Sequence, residues 1–168
     1  MLSKVFNFFF YRGERVGKDG KRFKLIKFRT MVYGADRTGS LSVAQDDKRV
    51  TRIGRLLRGT HFDELPNLIN VLKGEMNLIG PRPDVPFYAD RIPEPDRSII
   101  LSVKPGCLDP ATLWNFNEGM RLMGHEDPEK YYHEVIWPEK LKRQKQFILK
   151  WLNPSMKRCS GSGCSSPS

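Results

Sequence analysis

The chain has 168 residues, of which 29 are Lys or Arg and 19 are Asp or Glu, giving a formal charge of +10. That length fits one domain with a core of its own, and the charge points to an anionic partner: phosphorylated substrates, acidic lipid headgroups or nucleic acid. No run of 18 or more apolar residues occurs, so no segment reads as an ordinary membrane-spanning helix, and Cys107, Cys159 and Cys164 lack the spacing of a zinc site.

In chain order, residues 1–11 are apolar and aromatic and are followed at once by Arg12 and Arg15. Such a segment is either an opening strand packed in the core or the stump of an interfacial anchor, since aromatic rings beside cations suit the headgroup boundary. Residues 15–31 predict a β-hairpin, with a turn at Lys18-Asp19-Gly20-Lys21 and a second strand from Phe23 to Met31. The Asp-Gly pair is a strong hairpin signal, and the imperfect alternation of the second strand implies that both its faces are partly covered. Residues 33–47 read as a polar loop. Residues 50–58 predict a short basic helix, with Ile53, Leu56 and Leu57 on one face and Arg52, Arg55 and Arg58 flanking it. That cationic face is either simply solvated or meets anionic lipid or substrate.

The best-defined element is a helix from Asp63 to Gly74. Leu65, Leu68, Ile69 and Leu72 fall at i, i+3, i+4 and i+7, Pro66 restricts the start to the first turn, and Lys73-Gly74 supply the stop. A strand over 75–79 and a rigid Gly80-Pro81-Arg82-Pro83 turn follow. The prolines between 84 and 105 break up that stretch, residues 127–152 are helical in composition, and the Ser- and Gly-rich tail is expected to be disordered. The thiols read as reduced and not catalytic, in a cytosol-facing protein.

The chemistry centres on Asp63 and Glu64 at the start of that helix. Two carboxylates there serve as ordinary caps that complement the helix dipole. Their company suggests more: Arg82 stands between two prolines, and Lys27 and Arg29 lie on a strand able to run alongside. A carboxylate pair can ligate a divalent cation, while arginine grips phosphate through two parallel hydrogen bonds. Together these groups would stabilise charge on a transferring phosphoryl group.

Four ordered segments carry a resemblance: Glu14 to Met31, Arg52 to Arg58, Asp63 to Pro83, with its Asp-Glu-Leu-Pro and Gly-Pro-Arg-Pro signatures, and Val103-Lys-Pro-Gly106. The chain resembles the bacterial sugar transferases, the monotopic polyprenyl-phosphate phosphoglycosyl transferases that initiate capsule, O-antigen and exopolysaccharide assembly. The resemblance implies an α+β fold of a small hairpin or sheet packed with short amphipathic helices, some at the membrane interface. It also implies a two-step reaction on the cytoplasmic face of the inner membrane. Asp63 would attack the sugar-bearing phosphate of a UDP-sugar, releasing UMP, and polyprenyl phosphate would then take the phosphosugar from the enzyme. By the same resemblance Glu64, with Asp63, would hold Mg²⁺ or Mn²⁺, Arg82 would bind a substrate phosphate, and Lys27 and Arg29 would add phosphate contacts.

The catalytic domain is expected to run over residues 1–155, with its re-entrant N-terminal membrane helix truncated, and residues 156–168 form the tail. Sugar recognition is expected between Leu108 and Glu134, with Trp114, Asn115, Asn117 and Glu118 as candidates that serve equally well as core residues. Two other readings stay open: a catalytically silent scaffold of glycan assembly at the membrane surface, and a basic nucleic-acid-binding domain. No nucleic-acid-binding motif supports the second, so the expected partners are a UDP-sugar, a polyprenyl phosphate and an anionic membrane surface, not nucleic acid.

Overall fold

The structure, a computed structural model, describes residues 8–35, 47–109, 118–123 and 125–152. Residues 1–7, most of the 33–47 loop, Trp114, Asn115, Asn117 and the 156–168 tail with its two cysteines lie outside the described residues.

The hairpin forms where the Asp-Gly pair places it. Strands β1 (Phe10–Val16) and β2 (Arg22–Phe28) pair antiparallel, from Phe10 opposite Phe28 to Val16 opposite Arg22. Asp19 and Gly20 take φ of 57° and 75°, the left-handed region that Asp tolerates and Gly favours. The first strand reaches back to Phe10 because Phe10 stacks on Phe28 across the ladder, with ring centroids 5.3 Å apart. Leu25 and Ile26, on opposite faces of β2, are both buried, so both faces are covered as the broken alternation implied.

Helix α1 (Arg52–Gly59) starts at Thr51, whose hydroxyl accepts from the Gly54 N–H at 2.9 Å. Gly54 lies directly on the backbone at Thr30, where a Cβ would come within 2.0 Å of the carbonyl oxygen. Only glycine lets α1 approach this closely. Ile53 and Leu56 face outward, between exposed Arg52 and Arg55.

The single helix expected from Asp63 to Gly74 is replaced by two pieces. A 3₁₀ turn covers Phe62–Glu64, and helix α2 covers Asn67–Leu72. Pro66 has no N–H to donate, so the chain enters α-helical bonding only beyond it. Upstream, Glu64 and Leu65 bond three residues back, to His61 and Phe62, each at 3.2 Å. The helix still ends at Lys73, with Gly74 at φ 75°.

The orientation of α2 departs further from its pattern. Leu65, Leu68, Ile69 and Leu72 are exposed, Leu72 by 88%, whereas Asp63, Asn67 and Asn70 are buried. Asn70 explains how a polar face can turn inward. Its Oδ1 accepts from the Ile26 N–H at 3.1 Å, and its Nδ2 donates to the Lys24 carbonyl at 2.9 Å and to Glu75 at 2.7 Å. The side chain thus pairs with backbone groups of β2 that would otherwise lack a strand partner.

Strand β3 (Asn77–Ile79) pairs in parallel with β4 (Gly106–Leu108), Asn77 opposite Gly106 and Ile79 opposite Leu108. Gly80 and Gly106 touch so closely that a Cβ at 106 would lie 2.1 Å from the Gly80 nitrogen. This contact presses the Pro-Arg-Pro turn against the Lys-Pro-Gly segment. The crossover between β3 and β4 carries two short helices, α3 (Pro86–Ala89) and α4 (Asp96–Ile100), separated by prolines as expected.

Among the described residues three α-helices follow, α5 (Glu118–Arg121), α6 (Pro128–Tyr131) and α7 (Trp137–Phe147), the last running on into a π turn over Ile148–Leu152. A wider π turn, Tyr132–Ile136, joins the last two, because Pro138 cannot donate to the helix ladder and the Trp137 N–H bonds to the Tyr132 carbonyl instead. Two apolar clusters form the core. One contains Ile92, Ile99, Ile100, Leu141 and Ile148, the other Tyr88, Leu122, Tyr132 and Ile136, and Trp137 packs against both. The architecture is α+β, with two small sheets and short helices among the described residues.

Candidate active site

Asp63 sits in the 3₁₀ turn with only 5% of its surface exposed. Burial raises the pKa of its carboxyl above the ordinary range, and neighbouring Glu64 pushes the same way. The positive charges of Lys27, Arg58 and Arg82 oppose that shift. A buried carboxylate ringed by cations is anomalous for a helix cap, which normally faces solvent.

Glu64 is locked to Arg82 across the gap between the turn and the Pro-Arg-Pro segment. Arg82 Nη1 donates to Glu64 Oε2 at 3.0 Å, and Nη2 donates to Glu64 Oε1, the paired geometry that suits guanidinium and carboxylate. Burial works against ionisation of Glu64, but the charge and hydrogen bonds of Arg82 outweigh it and hold the carboxyl down at about 2. The Arg82 pKa rises in return. Its side chain remains 42% exposed.

Lys27 comes from β2, which packs on the 62–64 turn. Burial lowers its pKa to about 8, Arg15 adds to that effect, and Asp63 opposes it. Lys27 also lies over the Tyr11 ring, 5.6 Å from its centroid. Arg29 is placed differently. Its Nη2 donates to the Phe10 carbonyl at 3.2 Å, and its guanidinium lies over the rings of Tyr11 and Tyr33. The structure therefore brings Asp63, Glu64, Lys27 and Arg82 together, and sets Arg29 at the open end of the hairpin.

Two further cations belong to the site: Arg15, which the sequence sets beside the apolar N-terminal segment, and Arg58, on the helix face expected to be either solvated or in contact with anionic lipid or substrate. Arg58, at the end of α1, bonds Thr30 Oγ1 through Nε at 2.9 Å and interacts electrostatically with Asp63. Arg15 on β1 acts on Lys27 and is influenced in turn by Arg82 and Glu64. Both look like surface residues in a basic chain, and only their distance of five residues before Asp63, for Arg58, hints at a link. Glu118, expected near the sugar, starts α5 and adds negative charge near Arg82. Cys107 lies in β4, with its thiol pushed up by burial.

Both Glu64 oxygens accept from Arg82, and no group of three His, Cys, Asp or Glu able to hold a metal occurs among the described residues. Two adjacent carboxylates do not form an all-protein cage. They do fit Mg²⁺, which commonly takes one or two carboxylates together with water and substrate phosphates.

The chain is similar to known proteins of one family. Residues 3–151 match the bacterial sugar transferase family. A Bacillus subtilis protein provisionally named an undecaprenyl-phosphate N-acetylgalactosaminyl 1-phosphate transferase is 52% identical over 81 residues, covering 48% of this chain and 45% of the relative. The UDP-N-acetylgalactosamine-undecaprenyl-phosphate N-acetylgalactosaminephosphotransferase of Aeromonas hydrophila is 44% identical over 85 residues, covering 51% of this chain and 19% of the relative. The UDP-glucose:undecaprenyl-phosphate glucose-1-phosphate transferase of Caulobacter vibrioides is 44% identical over 88 residues, covering 50% of this chain and 33% of the relative. The matched segments thus span less than half the length of each of these relatives. With the family match running over most of its length, the chain belongs to the bacterial sugar transferase family.

Proposed function

We propose that the chain transfers a phosphosugar from a UDP-sugar to a polyprenyl phosphate, with Asp63 as the nucleophile. The observation that carries this reading is the buried Asp63 carboxylate among Lys27, Arg58 and Arg82. An anionic nucleophile can approach a diphosphate only where fixed cations offset the repulsion. In the first step an Asp63 oxygen bonds to the sugar-bearing phosphorus as the bond from that phosphorus to the bridging oxygen breaks. UMP departs with the electron pair, and the phosphosugar stays on Asp63 as an acyl phosphate. In the second step a phosphate oxygen of the polyprenyl phosphate attacks the same phosphorus, and Asp63 leaves as a free carboxylate. Asp63 would attack as its carboxylate and the acceptor as a phosphate anion, so neither step needs a general base.

Arg82 would bind and orient the diphosphate while Glu64 holds its guanidinium in place, and Lys27 and Arg58 would stabilise charge on the reacting oxygens. Arg29 would contact phosphate only at the margin. When bound, Mg²⁺ or Mn²⁺, held by Glu64 and Asp63 with the diphosphate, would neutralise charge on the departing UMP.

No helix among the described residues is long and apolar enough to cross a membrane. Attachment would be to the surface of one leaflet, on the cytoplasmic side where polyprenyl phosphate presents its headgroup, and the exposed side chains of α1, α2 and the turn before α2 support the surface attachment. Ile53, Leu56, Leu65, Leu68 and Leu72 all face outward, and Arg52 and Arg55 stand exposed beside the first two. Each such side chain gains about 1.5–3 kcal/mol on leaving water, and the arginines suit anionic headgroups. The test is a panel of UDP-sugars with undecaprenyl phosphate in anionic vesicles, read by UMP release. Divalent-dependent release with one or more sugars is expected. Release that persists in excess chelator would remove the metal from the scheme, and no release with any sugar would contradict the activity.

A further inference from the structure

The turn that presents Arg82 has no regular secondary structure of its own, yet two buried polar contacts fix it to helix α7. Asp109, just after β4, accepts through Oδ2 from the Arg82 N–H at 3.0 Å and from Gln144 Nε2 at 2.8 Å. Gln144 is fully buried, and its Nε2 also approaches the Arg82 carbonyl at 3.5 Å. One helical turn earlier, Lys140 donates to Asp84 Oδ1 at 2.5 Å, with only 7% and 8% of the two side chains exposed. Lys140 and Gln144 are i, i+4 neighbours, so one face of α7 holds the chain at both 82 and 84. The Asp84 carbonyl in turn accepts from the Val16 N–H at 3.0 Å, tying the turn to the hairpin.

Stability alone is a poor reason for this arrangement. Buried ion pairs cost several kcal/mol of desolvation per ion, and apolar side chains of the same volume commonly serve as well or better. What such a polar network adds is a fixed geometry, here through the Gln144 amide nitrogen, since its buried Oε1 has no hydrogen-bond partner among the described residues. We propose that Asp109 and Gln144 are positioning residues for Arg82, and that the Lys140–Asp84 pair anchors the far end of the same turn. Together they set the Arg82 backbone so that its guanidinium meets Glu64 and the substrate diphosphate at once. The proposal rests on the reading of Arg82 as a phosphate-binding residue.

Breaking the pair tests it. Gln144→Glu sets two carboxylates against each other in a buried contact. Asp109→Asn keeps one oxygen able to accept from both the Arg82 N–H and Gln144 Nε2, and Gln144→Leu removes the donor without adding charge. On the full chain, UDP affinity by calorimetry, hydrogen exchange of the Arg82 amide and thermal melting are measured for wild type and the three variants. Gln144→Glu is expected to weaken UDP binding by about tenfold and to speed exchange at Arg82, Gln144→Leu to do the same to a smaller extent, and Asp109→Asn to stay within about threefold of wild type in both. Wild-type affinity and exchange in Gln144→Glu would overturn the proposal. So would an Asp109→Asn variant that melts like wild type yet binds as poorly as Gln144→Glu, or, if Gln144→Glu fails to fold, wild-type affinity and exchange in Gln144→Leu. Arg82→Ala separates the two readings: if it leaves UDP affinity unchanged, the phosphate role of Arg82 fails, and exchange at the Arg82 amide alone decides the positioning proposal.

Discussion

Helices α2 and α7 are both amphipathic, and they face opposite ways. Along α7, Leu141 packs into the core beside buried Lys140 and Gln144, with Ile136 and Ile148 buried just beyond the two ends of the helix, and the exposed face carries charge such as Lys142. Along α2 and the turn before it, Asp63, Asn67 and Asn70 are inside and four apolar side chains are outside. Periodicity reveals that a helix has two faces, and says nothing of which one meets the protein. The apolar face of α7 finds its partner within the chain. That of α2 does not among the described residues, and on its inner side Asp63 lies buried among Lys27, Arg58 and Arg82.

This contrast predicts that changes on the inner face of α2 and its preceding turn disturb function more than stability, and changes at the apolar residues under α7 the reverse. Asp63→Asn should lower UMP release by more than about a thousandfold. It should also leave the melting temperature unchanged or slightly higher, because the raised pKa of Asp63 marks a folding cost at neutral pH that the neutral amide does not carry. A large fall in melting temperature would make Asp63 a structural cap after all. Leu141→Ala should cost about 2–5 kcal/mol in denaturant unfolding. Leu72→Ala should stay within about 0.5 kcal/mol but weaken binding to anionic vesicles in a flotation assay. Equal losses of stability at the two leucines would erase the distinction.

Asn70 joins the two kinds of face, since it is polar, buried and structural. Asn70→Leu should cost about 1–3 kcal/mol by leaving β2 backbone groups unpaired, and unchanged unfolding would show that water replaces it. Lys27 gives a smaller effect with opposite signs in two assays. Its pKa falls from 10.5 to about 8 on folding, so over that interval the unfolded chain holds more of the proton, and the Lys27 contribution makes stability rise with pH. Turnover should fall over the same interval as the charge facing the diphosphate is lost. The difference between wild type and Lys27→Met isolates both trends, and parallel pH profiles for the two proteins would remove Lys27 from the site. Cys107→Ser should leave turnover unchanged, because a thiol pushed up by burial is no nucleophile at neutral pH.

Much of this was legible in the sequence, for local reasons. Asp19-Gly20 specified the hairpin turn, Pro66 confined Asp63 to the start of the helical segment, and the prolines around Arg82 marked a fixed turn. The family-like order of these motifs assembled Asp63, Glu64, Lys27 and Arg82, and the structure brings those four together. Arg29 could be placed only by contacts across the hairpin, with Tyr11 and Tyr33. Lys140 and Gln144 were hidden for a different reason. They lie in a run that is helical in composition and rich in cations, and only the approach of Asp84 and Asp109 from distant segments turns them into buried partners. The direction of α2 was illegible because an inward asparagine and an outward leucine give the same periodicity as the reverse.

The central claim is that Asp63 carries the phosphosugar between donor and acceptor. It is tested most directly by the intact mass of the protein after incubation with a reactive UDP-sugar and no polyprenyl phosphate. Wild type should gain the mass of one phosphosugar, lost again when undecaprenyl phosphate is added, and peptide mapping should place it on Asp63. An adduct of the same mass on Asp63→Asn, or UMP release by wild type with no adduct formed, would contradict it.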